Sequence, residues 1–129
     1  MKVLLDTHIM IWAMTGDPQL SKVAREVIED ERNELYFSVA SPCEISLKHR
    51  IHEDQMPVSA REAKEAFVTN GYVELPFGSS HAGTMDDLPM LHRDPFDRMI
   101  LAQAKGEGMK LLSHDNRFPA YGDFVIAYE

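Results

Sequence analysis

Short apolar runs rich in strand-forming residues alternate along this chain with stretches whose apolar residues recur at helical spacing. That alternation restricts the fold more than any other feature. Lys2 to Leu5, Leu35 to Val39, Tyr72 to Leu75, Met109 to Leu112 and Phe124 to Ala127 read as strands. Helical patterns fill the intervals. Thr7 is placed to cap a helix through Met14, broken by Gly16-Asp17-Pro18, and Ser21 caps a second carried by Val23, Ala24, Val27 and Ile28. Ser41-Pro42 opens a third, with serine as N-cap and proline at the first helical position. Ser59 to Val68 forms a fourth, closed by Asn70-Gly71, and Ser79 to Leu88 a short fifth. Asp94-Pro95 opens a sixth, which carries Phe96, Met99, Ile100, Ala102 and Ala104 and ends at Gly106 and Gly108. The pattern predicts an α/β domain with a mostly parallel central sheet. In such sheets ligands bind outside the carboxyl ends of the strands, so residues at strand exits carry most of the functional information.

At 129 residues, with no repeat or linker to divide it, the chain is expected to form a single domain over residues 1–129. No run approaches the roughly 20 apolar residues that span a bilayer, and Asp6 interrupts the apolar start, so neither a membrane segment nor a secretory signal is expected. One cysteine, Cys43, excludes an internal disulfide framework and leads to the expectation of a reducing, cytoplasmic location. The net charge of -8 excludes the broad basic surface of a tight polyanion binder. Acidity can also arise by gathering carboxylates where a cation must stand. Glu26, Glu29, Asp30, Glu31 and Glu34 read as a solvated helix face and its exit, but four other acids occupy element junctions.

Asp6 ends the first strand, and Asp115 lies in the turn Ser113-His114-Asp115-Asn116-Arg117 after the strand Met109 to Leu112. Each has a structural alternative as an ordinary turn or cap residue. Glu44, three residues after Ser41, completes a Ser-x-x-Glu capping box, a role that competes with ligand binding for the same side chain. In Asp94-Pro95-Phe96-Asp97 the first acid precedes a proline and is a natural N-cap, which assigns Asp94 to structure or a supporting position and leaves Asp97 free for chemistry. Carboxylates brought together on one sheet edge repel unless protons or cations neutralise them, and hard oxygen donors select Mg²⁺ or Mn²⁺. Such a cluster can activate water and stabilise a phosphoryl group under attack.

Four segments carry a family resemblance. Val3-Leu4-Leu5-Asp6-Thr7-His8 resembles the first strand of PIN domains, especially the VapC-type toxins of bacterial toxin–antitoxin pairs. Ser38-Val39-Ala40-Ser41-Pro42-Cys43-Glu44-Ile45-Ser46-Leu47-Lys48 resembles their glutamate-bearing segment. His92-Arg93-Asp94-Pro95-Phe96-Asp97-Arg98-Met99-Ile100-Leu101-Ala102-Gln103-Ala104 is the most specific match, similar to a subgroup in which the second aspartate is the metal-site acid. Leu111-Leu112-Ser113-His114-Asp115-Asn116-Arg117-Phe118 resembles the last acidic motif. The motifs come in family order and span almost the whole chain. Two departures stand out: Cys43 where the subgroup often has tryptophan, and Ile51 to Gln55 in place of a glycine-lysine-leucine run.

The resemblance implies a PIN-like α/β/α sandwich with Mg²⁺ or Mn²⁺ at Asp6, Glu44, Asp97 and Asp115. It also implies endonucleolytic RNA cleavage leaving 5′-phosphate and 3′-hydroxyl ends, a homodimer and a cognate antitoxin. Thr7 either orients a carboxylate or caps a helix. Lys48, Arg50, Arg93 and Arg98 are the candidate phosphate contacts, with His49 and His52 beside them, and a solvated helix surface is the alternative for each. The few cations predict weak, salt-sensitive RNA binding. His49 and His52 lack companions at zinc-site spacing. Two competing readings remain. An aspartyl-phosphate phosphatase would use Asp6 as nucleophile but wants a second aspartate where His8 stands. A non-catalytic PIN-like interaction module would use the acids only as caps.

Overall fold

The computed structural model describes residues 1–126, and the Ala127 assigned above to the last strand lies outside them. Five strands form one sheet: β1 (Lys2–Leu5), β2 (Glu34–Ser38), β3 (Val73–Leu75), β4 (Lys110–Leu112) and β5 (Val125–Ile126). The order is β3-β2-β1-β4-β5 and every pairing is parallel. The helices are α1 (Thr7–Thr15), α2 (Lys22–Glu29), α3 (Ala40–Ile51), α4 (Ala60–Thr69), α5 (Ser79–Asp87) and α6 (Pro95–Glu107). A 3₁₀ turn at Phe118–Tyr121, which the sequence pattern did not suggest, precedes β5.

Both faces of the sheet are covered, which is why its central strands are continuously apolar rather than alternating. In β1, Val3 and Leu5 join one core with Ile9, Trp12, Ile45 and Phe67, whereas Leu4 joins the opposite core with Ile100, Leu101, Leu111 and Phe118. The result is an α/β/α sandwich. Val3, Leu4 and Leu5 are wholly buried, each contributing about 2 kcal/mol through lost apolar surface.

Local chemistry sets the helix ends. Asp6, not Thr7, caps α1, because its carboxylate accepts from the Thr7 N–H at 2.8 Å. The capping box expected at Ser41 and Glu44 does not form. Helix α3 begins two residues earlier, at Ala40, where the Ser38 hydroxyl accepts the Ala40 N–H at 2.9 Å, so Pro42 is its third residue rather than its first. A capping box does open α4, through Ser59 and Glu62. Asp94 caps α6 by accepting from Phe96 and Asp97 N–H, with Pro95 at the first position as expected. Gly108 ends α6 in left-handed geometry at φ 68°, but Gly106 lies inside the helix. A Cβ there would come within 3.2 Å of Thr84 Oγ1, so its absence lets α5 approach α6.

The chain order places a break at the centre of the sheet. From β1 it runs outward through β2 to β3, then returns to the other side of β1 for β4 and β5. The carboxyl ends of β1 and β4 therefore flank a topological switch point, where α/β sheets open a crevice. Asp6 follows β1 and donates its N–H to Leu112 O at 2.9 Å, at the end of β4.

Candidate active site and metal centre

Asp6 is only 4% exposed and anchored on two sides. One oxygen accepts the Thr7 N–H, and the other accepts the Ser113 hydroxyl at 2.7 Å. Ser113 Oγ in turn accepts the Asp115 N–H at 3.1 Å, so a single buried serine ties the acid after β1 to the acid after β4. Burial raises the Asp6 pKa above the usual carboxylate range, against the lowering effect of the Ser113 hydrogen bond.

Glu44 enters from the first turns of α3 and is 3% exposed. Freed of capping, its carboxylate meets Lys48 Nζ at 2.7 Å, one turn along the same helix. The start of α3 is pinned to the start of α1 by a 2.7 Å hydrogen bond between the buried hydroxyls of Thr7 and Ser41. Thr7 therefore links the helix behind Asp6 to the helix bearing Glu44. On the other side, the Gln103 amide joins α6 to the carbonyls of Leu75 and Pro76 and to the Ser38 hydroxyl. These uncharged contacts, all near the carboxyl edge of the sheet, hold the acid-bearing elements in register.

Asp97 stands in the first turn of α6. Its pKa is pushed up to about 8, first by burial and then by the fields of Asp6, Asp94, Glu44 and Asp115. Acids from four separate elements thus act on one carboxyl group. Asp115 is held below its ordinary value by Arg117, whose guanidinium binds it in two-pronged fashion at 3.0 and 2.6 Å and reaches Asp97 at 3.7 Å. A shallow depression of about 510 Å³, lined by His114, Asp115, Asn116 and Arg117, opens beside them. His114 packs against Trp12 and His8, and Trp12 belongs to the core.

The candidate phosphate contacts separate. Arg50 and Arg93 are exposed and make no ion pair among the described residues. Lys48 is bound to Glu44. Arg98 is buried at 7% exposure, donating to the carbonyls of Pro89 and Met85 at 3.0 and 3.3 Å. That burial removes Arg98 from the cations a phosphate can reach; it staples the α5–α6 connection instead. Sequence inspection missed Arg117, Ser113, His92 and Tyr121. Only the two-residue spacing of Asp115 and Arg117 offered a local signal, whereas Ser113 meets a residue 107 positions away.

The family pattern for the PIN domain matches residues 3–123. The chain belongs to the PIN-domain family. Solved structures similar to this PIN domain include VapBC2 from Rickettsia felis bound to a promoter DNA fragment, at 15% identity and TM-score 0.68. That match covers 98% of this chain and 96% of the other. A toxin–antitoxin complex from Klebsiella pneumoniae is 17% identical with TM-score 0.68, covering 98% of both chains. VapBC-1 from nontypeable Haemophilus influenzae is 16% identical with TM-score 0.62, covering 94% of this chain and 92% of the other. No curated protein matches the sequence.

The candidate ligands of this PIN domain are all carboxylate oxygens, which would suit Mg²⁺ or Mn²⁺ rather than a thiophilic ion. Among the described residues, no three His, Cys, Asp or Glu side chains stand close enough to hold an ion directly. Lys48 and Arg117 compensate Glu44 and Asp115, while Asp97 keeps excess negative charge around it and responds by binding a proton. A divalent ion bound there would take the place of that proton. In donor chemistry these carboxylates would fit such an ion.

Proposed function

We propose that this PIN domain is a divalent-metal-dependent endoribonuclease, the toxin of a toxin–antitoxin pair, with Asp6, Glu44 and Asp97 holding the principal Mg²⁺ or Mn²⁺ ion and Asp115 completing the site or serving a second ion. The observation that carries this reading is the Asp97 carboxyl, raised to about 8 by burial and by four neighbouring acids at the sheet's switch point. When bound, the ion supplies an activated water and neutralises charge on the phosphoryl group. The chain's own residues orient the carboxylates: Thr7 and Ser113 fix Asp6, Asp94 caps the helix that presents Asp97, and Arg117 steers Asp115. Arg93 precedes this cluster directly. Arg50 lies six residues beyond Glu44, about 9 Å along the helix axis, a reach compatible with a neighbouring phosphate. RNA as substrate rests on the motif resemblance.

The toxin–antitoxin assemblies among the structural neighbours support a cognate antitoxin, and a homodimer rests on the motif resemblance. Among the described residues no helix is long and apolar enough to cross a membrane, and a cytoplasmic site of action rests on the single cysteine. The test is mapping of RNA ends after brief induction of wild type beside Asp97→Ala and Asp6→Ala. New ends bearing 5′-phosphate and 3′-hydroxyl groups, seen only with wild type, support hydrolysis by water. Cleavage by either variant at the wild-type rate refutes the assignment.

One observation favours a second reading, the non-catalytic PIN-like module. Lys48 and Arg117 already neutralise two of the acids without metal. Mn²⁺ titration discriminates, since a module of that kind binds no ion that is lost in Asp97→Ala.

A further inference from the structure

His92 is a buried imidazole whose two nitrogens face different chemistry. Nδ1 lies 2.7 Å from the Tyr121 hydroxyl, and Nε2 lies 3.3 Å from Asp97 Oδ2 with no hydrogen-bond partner. The ring is held edge-on by Tyr121 and packed against Phe118, both buried in the core beside α6. A buried polar atom without a partner costs about 1–3 kcal/mol, so its direction demands a reason.

We propose that His92, locked by Tyr121, is the positioning residue for the Asp97 carboxylate, a role that rests on the reading of Asp97 as a metal-site acid. The argument is one of donors and acceptors. An ionised carboxylate only accepts, so a neutral imidazole facing it must present Nε2–H. That tautomer leaves Nδ1 as an acceptor, which the Tyr121 hydroxyl fills by donating. The opposite tautomer turns the Nε2 lone pair towards a carboxylate. The 3.3 Å separation is slightly beyond an ordinary hydrogen bond, as such contacts often are in a site without its ligand. One oxygen of Asp97 is thereby held by His92, leaving the other for the ion. Groups that orient metal-binding carboxylates in this way typically change metal affinity 10–100-fold when removed.

The test compares wild type with His92→Phe, His92→Gln and Tyr121→Phe, each first shown to be folded by thermal melting. Mn²⁺ affinity is read by calorimetry, and the His92 ring tautomer by imidazole ¹⁵N shifts without metal, at a pH above 8 where Asp97 is ionised. His92→Phe is expected to weaken Mn²⁺ binding at least about tenfold. His92→Gln, which keeps a donor at the Nε2 position, is expected to recover most of it, and Tyr121→Phe to give a mixture of tautomers. Unchanged affinity in a folded His92→Phe overturns the proposal, as does an Nδ1-protonated ring in wild type. An Nε2-protonated ring in wild type that binds no Mn²⁺ overturns the nuclease reading, and the positioning role falls with it.

Discussion

Replacing Asp97 by asparagine removes a charge that the fold must otherwise desolvate among other acids. Asp97 binds its proton more tightly when folded, at about 8, than the ordinary value of 3.8 of an unfolded chain. Between those values the native state carries more protons than the unfolded state, so stability falls as pH rises through that window. At pH 7 roughly three pH units separate the solution from 3.8, and at about 1.4 kcal/mol each the penalty approaches about 4 kcal/mol. Relaxation of the pocket reduces such penalties. A net gain of about 2–3 kcal/mol at pH 7 is expected for metal-free Asp97→Asn. Urea unfolding with chelator at pH 5, 7 and 8 measures it. The advantage should grow with pH, and Mn²⁺ should then stabilise wild type but not the variant, by about 2.7 kcal/mol at a hundred times its dissociation constant. A variant no more stable than wild type at pH 8, or one with the same pH dependence, refutes the electrostatic account of the site.

Three further outcomes follow from the contacts. Ser38→Ala leaves the Ala40 N–H and the Gln103 carbonyl oxygen without their partner and should cost about 1–3 kcal/mol in the urea midpoint. Arg98→Ala should destabilise by about 3 kcal/mol, read in the same way, and leave the salt dependence of RNA binding unchanged; Arg93→Ala should reduce that salt slope by about one at little cost in stability. Gly108→Ala, at φ 68° with open space around it, should cost about 1 kcal/mol from backbone conformation alone, measured by thermal melting.

Much of the architecture was legible in the chain itself, because strand runs, helix caps and turn residues act over a few positions. Ser21, Ser59 and Asp94 cap where local chemistry put them, and apolar runs buried on both faces gave the parallel sheet. The errors were local competitions decided from a distance. Ser41 matched a capping box, but the Ser38 hydroxyl starts α3 earlier, and Ser41 turns inward to Thr7. Gly106 looked like a helix end, yet it lies within α6 where the side chain of Thr84 on α5 comes close.

The sequence by itself determined which acids stand at element junctions and that they offer only carboxylate oxygens, since both follow from residue type and position along the chain. Only the tertiary structure decided which cations answer them. Lys48 is one helical turn from Glu44, but Arg117 reaches Asp97, Ser113 reaches Asp6 and His92 faces Asp97 through contacts made after the sheet closes around its switch point. Charge and hydrogen-bond energies depend on distance and burial, and those exist only once segments remote in sequence share one edge.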